Sequence, residues 1–174
     1  MGTDDVKKKE ESVLDKTMEL LAKEGKYLTF ALGKEEYGVE ILTVREIIGL
    51  MDITAVPQVP KYVKGVINLR GKVIPVIDLR LKFDMESIDY TNETCIIVIN
   101  VEQTLMGVVV DRVCEVLDIG QEAIEPAPSF GQKLKTDFIL GMGKIGEKVK
   151  ILLNIEGVLT EDIEVLSGKI GIDE

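Results

Sequence analysis

The chain has 174 residues, a formal net charge of −10, 45% hydrophobic and 30% charged residues, and no histidine. That length and apolar share suit one ordinary domain or two small ones around a packed core, and argue against global disorder. The acidic balance disfavours nucleic-acid backbones and anionic membrane surfaces as partners, and the missing histidine removes the usual general base and the commonest metal ligand.

Residues 1–11 are polar. Val13, Leu14, Thr17, Met18 and Leu21 then fall at helical spacing ahead of Gly25, which predicts either a short amphipathic helix over about 12–23 or a polar tail. These first 25 residues are charged and mixed, with no signal-peptide core, and no apolar run in the chain approaches a transmembrane span. A cytoplasmic protein is expected.

Strand signals begin at YLTFAL (27–32), which alternates with period two, and YGVEI (37–41) returns across a Gly33 turn. LTVREIIGL (42–50) suits one or two helical turns or a bent strand. Pro57 and Pro60 keep 51–60 extended, and Pro60 can open a single helical turn over Lys61–Lys64. In GVINLRGKVIPVIDL (65–79), two apolar runs flank Arg70-Gly71-Lys72, a tight hairpin; Pro75 has no N–H and cannot present that side to a central ladder. A polar linker follows over 85–93. TCIIVINV (94–101) and LMGVVVDRV (105–113) form the next hairpin, and CEVLDI (114–119) continues it. LGMGKI (140–145) pairs with VKILLNI (149–155), and 156–166 suits a closing helix.

The two halves repeat one another. A shift of 69 residues superimposes Gly38 on Gly107, Val39 on Val108, Val44 on Val113, Glu46 on Glu115, Ile47 on Val116 and Pro57 on Pro126. A shift of 76 superimposes Gly65 on Gly141, Lys72 on Lys148, Val73 on Val149 and Leu79 on Ile155, so the second half carries seven extra residues near 129–137. The expected architecture is all-β: two small barrels of about five strands each, sharing an apolar interface because neither buries enough alone. A groove between them is a natural docking place.

Chemistry has little to stand on. Gly141-Met142-Gly143-Lys144-Ile145-Gly146 fits GxGxxG, but a strand follows it where a phosphate site needs a helix. Asp78, Asp111 and Glu115 are the candidate acid–base or metal-binding carboxylates; Asp111-Arg112 reads better as a solvated ion pair ending a strand. Cys95 and Cys114 lie in apolar runs without CxxC spacing and read as reduced core thiols. A carboxylate enzyme and a nucleic-acid-binding barrel are the disfavoured alternatives.

The segment PKYVKGVINLRGKVIPVIDLRLKF (60–83) closely resembles the signature of the CheW family of chemotaxis coupling proteins, a V-x-G-x-x-N-L-R-G-x-x-x-P-V-x-D-L run after a proline. Here that run is Val63 to Leu79, unbroken. The resemblance spans about 26–166, through YLTFALGKEEYGVEI, GVVVDRVCEVL and ILLNIEGVL. It implies two SH3-like five-stranded barrels packed together, with short helices and a C-terminal helix: 26–84 as the first unit, 94–167 as the second, and strand exchange between them open. It also implies a non-enzymatic adaptor without cofactor or metal, joining the cytoplasmic tip of chemoreceptors to the CheW-like regulatory domain of the histidine kinase CheA. Such a protein is recruited to membrane-associated arrays without inserting in the membrane and without binding nucleic acid. A relative serving a non-motility array stays open. By resemblance, receptor-groove positions are Val44, Glu46, Ile47, Gly65 and Arg70, and the kinase-facing surface includes Cys95, Ile97 and Met106.

Overall fold

The computed structural model describes residues 25–127 and 138–170, with side chains as far as Leu166. The expected helix over 12–23 and the insertion near 129–137 lie outside the described residues.

The first half supplies β1 (Lys26–Leu32), β2 (Glu35–Glu40), β3 (Val44–Gly49), β4 (Val63–Leu69), β5 (Lys72–Asp78) and the short helix α1 (Leu79–Lys82). The second supplies β6 (Cys95–Val101), β7 (Thr104–Val110), β8 (Arg112–Asp118), β9 (Ile124–Glu125), β10 (Ile139–Ile145), β11 (Lys148–Leu153) and the helix α2 (Ile155–Ile170). The shift of 69 carries β1, β2 and β3 onto β6, β7 and β8, and the shift of 76 carries β4 and β5 onto β10 and β11. The helix starts correspond as well, and so do their caps. Asp78 accepts from Leu81 N–H ahead of α1, and Asn154 accepts from Gly157 N–H at the start of α2.

The strands form two sheets, β8-β1-β2-β11-β10-β9 and β3-β6-β7-β5-β4. Each repeat therefore lends its first hairpin to the other repeat's sheet: β1–β2 joins β8–β11, and β6–β7 joins β3–β5. The joins are parallel and equivalent, Gly38 against Leu152 and Gly107 against Val76. Glycine is required at both. A Cβ at Gly38 would meet Leu152 Cδ2 at 2.9 Å, and one at Gly107 would meet Ile96 Cγ2 at 2.8 Å.

The architecture is all-β and SH3-like, although no ladder closes either sheet. The five-stranded sheet curls around Ile67, Ile74, Val76, Ile96, Val98 and Val109, and the six-stranded sheet around Tyr27, Ile119 and Leu152. Between the sheets lies the largest core, which includes Phe30, Leu32, Val39, Ile77, Ile97, Met106 and Val108 and is covered by Val158, Leu159, Ile163 and Leu166 of α2. Removing that apolar surface from water at about 25 cal/mol per Å² is what holds the two sheets together.

α2 is also fastened by a polar cluster. Tyr62 Oη donates to Asp162 Oδ1 at 2.6 Å, and Lys82 Nζ lies 2.9 Å from Asp162 Oδ2 and 4.3 Å from the Tyr62 ring centroid. Burial and this hydrogen bond push the Tyr62 phenol well above its ordinary value.

One local expectation changes, and one pair of alternatives is decided for the bent strand. No helical turn forms over Lys61–Lys64: Val63 N–H bonds to Pro60 C=O at 3.0 Å, closing a β-turn, and β4 begins at Val63. The 42–50 segment resolves into a 3₁₀ turn, Ile41–Thr43, followed by strand β3. Pro75 is accommodated as its chemistry demands. It faces Val66, whose own N–H and C=O turn away to Thr54, and the β7 ladder begins only at Val76.

Candidate functional site

Most of the Val63–Leu79 run is explained by the fold. Val63 and Leu79 are core. Asn68 Oδ1 accepts from Gly71 N–H at 2.8 Å and so braces the hairpin turn. Gly71 takes φ 85°, Pro75 fits the gap in the ladder, and Asp78 caps α1 while accepting from Tyr90 Oη at 2.8 Å. Burial and that bond raise the Tyr90 phenol above its usual range.

Arg70 is the exception. Its side chain is 70% exposed, and its φ is 51°, a conformation that glycine adopts far more easily. The superimposed position in the β10–β11 turn is Gly146, at φ 61°. The first half therefore keeps an arginine where the fold's own preference is glycine. Its guanidinium pairs with the Glu46 carboxylate. Because β3 and β4 are the two outer strands of the five-stranded sheet, that ion pair joins strand edges that no backbone ladder joins.

Glu46 stands on β3, whose residues alternate between half-buried and exposed. Val44 packs against the shared core, and Ile48 against the core inside the five-stranded sheet. Ile47 is 44% exposed, and Leu42, Leu50 and Met51 are exposed beside it. Four large apolar side chains within ten residues, rimmed by a charged pair, have the make-up of an interface core with a polar rim. Sequence reasoning found Val44, Glu46, Ile47 and Arg70, which the structure places on one strand and the turn beside it. It missed Leu42, Leu50 and Met51, although their place in the run 42–51 was visible.

Gly65 belongs to the backbone rather than the surface. It is buried at φ 141°, and a Cβ there would meet the Thr54 carbonyl oxygen at 2.0 Å. The Thr54 strand segment, paired with Val66, crosses directly over it. Ile97 and Met106 are fully buried, Ile97 on the interior strand β6 and Met106 on the central strand β7 beside it. Both sheet faces are covered at this point, so their side chains do not reach a surface, which corrects the expectation that they face a partner. Cys95 is half-buried at the margin of the shared core, and burial pushes its thiol up.

Of the candidate carboxylates, Asp78 and Asp111 are committed to structural bonds, and Glu115 stands exposed. Asp111 takes two bonds from Arg80, at 2.7 and 2.6 Å, and one from Gly33 N–H at 2.7 Å. Its partner is thus Arg80 in a half-buried site, not a solvated Arg112. Burial alone would raise its carboxyl; the Arg80 and Gly33 bonds outweigh that and hold it below the ordinary carboxylate range. Asp78 is held by Tyr90 and by the end of α1, and the Glu115 backbone is bridged by Thr29 Oγ1. Gly141 and Gly143 lie in strand β10 of a hairpin, pressed against Ile124 and Ile119. Among the described residues, no cluster of three or more acidic or cysteine side chains could hold a metal ion, and no helix is long and apolar enough to cross a membrane.

The model of the CheW-like domain matches residues 26–162. A chemotaxis protein CheW of Klebsiella aerogenes is 44% identical over 136 residues, covering 78% of this chain and 82% of that protein. One from Thermotoga maritima is 32% identical over 156 residues, covering 88% of this chain and 99% of that protein. Among solved structures, the scaffolding protein TtCheW from Thermoanaerobacter tengcongensis matches with a TM-score of 0.72 at 34% identity, over 78% of this chain and 92% of that one.

Proposed function

Because this chain belongs to the CheW-like domain family, we propose that it is a non-enzymatic chemotaxis adaptor that couples the cytoplasmic tip of a chemoreceptor to the histidine kinase CheA. The observation that carries this reading is the set of exposed apolar side chains on and flanking β3, near an arginine that the fold itself does not need.

The mechanism is differential contact rather than bond chemistry. The apolar face of a receptor helix lies against Leu42, Ile47, Leu50 and Met51, helix-in-groove fashion. Arg70 and Glu46 at the rim fix its register, and Gly65 holds the strand beneath at its required height. The kinase's regulatory domain docks on the second unit, where Cys95 is the expected position whose side chain is not enclosed. A receptor shift then changes which kinase state this bridge favours, by no more than its differential affinity for the two states.

The test is a pair of separate pull-downs of the full chain, with a receptor cytoplasmic tip and with the CheA regulatory domain. Ile47→Asp should abolish capture by the receptor tip and leave kinase capture intact. Loss of both, or of neither, would sink the site.

A further inference from the structure

The repeat itself reveals a second feature, on the six-stranded sheet. In the first-half sheet, Leu105 and Ile74 sit beside the parallel join, half-buried and fully buried, packed against the small core. The superimposed positions in the six-stranded sheet are Glu36 and Lys150. Lys150 is buried, its side chain only 6% exposed, and it pairs with the Glu36 carboxylate. The fold accepts an apolar pair here, and a buried ion pair is commonly no more stabilising than its apolar counterpart. Stability therefore does not explain the charges.

Glu36 also lines a cleft of about 390 Å³, together with Lys34, Glu35, Arg112, Lys148 and Val149, and Lys150 is buried behind it. In the other half the positions of Lys34 and Arg112 are taken by uncharged Gln103 and Thr43. The Arg112 guanidinium donates to Cys114 Sγ at 3.3 Å, and among the described residues Lys34, Arg112 and Lys148 are in no ion pair. Glu36 neutralises Lys150 and Glu35 offsets one rim cation. The cleft residues and Lys150 together carry a local excess of two positive charges on a chain whose net charge is −10. Val149, 51% exposed, supplies an apolar surface at the mouth.

We propose that this cleft binds the carboxylates of an acidic peptide segment of a partner protein, with Lys34, Arg112 and Lys148 as the binding cations and the Lys150–Glu36 pair behind them. Guanidinium and ammonium groups converging from two strands and a turn can hold two carboxylates at once, and Val149 favours a segment that also carries an apolar residue. Glu36 keeps Lys150 paired until a partner carboxylate reaches it. This site is separate from the β3 strip, and its failure leaves the adaptor reading untouched.

The experiment is a titration of the isotope-labelled full chain with a hexaglutamate peptide at low ionic strength, followed by NMR. Saturable shifts confined to residues 34–36, 112 and 148–150 are expected. Lys34→Glu with Arg112→Glu should weaken binding about tenfold or more, and Lys72→Glu with Arg45→Glu should not. A Glu36→Leu, Lys150→Ile chain, which restores the apolar pair of the other half, should stay folded and bind about tenfold more weakly. Shifts spread over every basic surface, shifts that do not saturate, equal loss in the Lys72 and Arg45 control, or full displacement by equimolar inorganic phosphate would overturn the assignment.

Discussion

Arg70→Gly separates folding from function at the β3 site. Three effects act on stability. The lost ion pair is exposed, 70% on Arg70 and 30% on Glu46, and such pairs contribute roughly 0.2–1 kcal/mol. Relieving a left-handed conformation at φ 51° returns about 1 kcal/mol. The extra freedom of glycine in the unfolded chain takes back roughly 0.5–1 kcal/mol. The sum is close to zero, so the thermal midpoint should move by less than about 3 °C. Receptor binding behaves differently. An arginine at the edge of an apolar contact contributes about 2 kcal/mol when it is a binding determinant, or roughly thirtyfold in affinity. Co-sedimentation with receptor tips and a thermal melt on the same preparation measure both quantities. An Arg70→Gly chain that melts far lower, or one that keeps full receptor affinity, would refute the assignment. Exchanging the pair, with Arg70→Glu and Glu46→Arg together, should restore the strand-edge bridge without restoring receptor binding.

Gly65→Ala should cost about 3 kcal/mol or more in urea unfolding, since its Cβ would sit 2.0 Å from the Thr54 oxygen; a midpoint near the parent's would show that the segment can lift away. Asp162→Ala should destabilise by about 3 kcal/mol because it strands Lys82, only 9% exposed, without its charge partner, and Asp162→Leu with Lys82→Met should recover most of the loss. Asp111 has a folded pKa below its unfolded value near 3.8, so its contribution is complete above that value and fades as pH falls through the folded one. The stability gap between the parent and Asp111→Asn, followed by denaturation from pH 7 to pH 2, should be constant above about pH 5 and close below pH 3.8; a gap that widens in acid would contradict it. Gln103→Gly should raise the midpoint by no more than about 2 °C in a thermal scan, because the strain relieved at φ 68° exceeds the freedom glycine gains in the unfolded chain by only about 0–0.5 kcal/mol; a lowered midpoint would contradict it.

The strands were legible because alternation and turn residues act locally, and the repeat was legible because equivalent positions have equivalent packing. The exchange of hairpins was not. Gly38 and Gly107 look like ordinary strand glycines until Leu152 and Val76 are seen packed against them from far along the chain. Arg70 and Glu46 could be named as candidates, but their pairing depends on the curl of a sheet rather than on spacing. Ile97 and Met106 misled for a reason that the sequence did contain. A continuous run such as CIIVINV marks a strand covered on both faces, which leaves no side chain for a partner. Lys150 carried no signal, because a lysine at a strand position reads as solvent-facing.

The parallel join between β2 and β11 has a consequence for synthesis. Gly38 and Leu152 are 114 residues apart, and at about 5–20 residues per second the ribosome separates their emergence by on the order of ten seconds. The β6–β7 hairpin can complete the five-stranded sheet well before that. Until β11 appears, the first hairpin leaves the tunnel with one long edge unpaired, and for that interval the nascent chain depends on chaperones, or on its own later half, to keep that edge from a stranger.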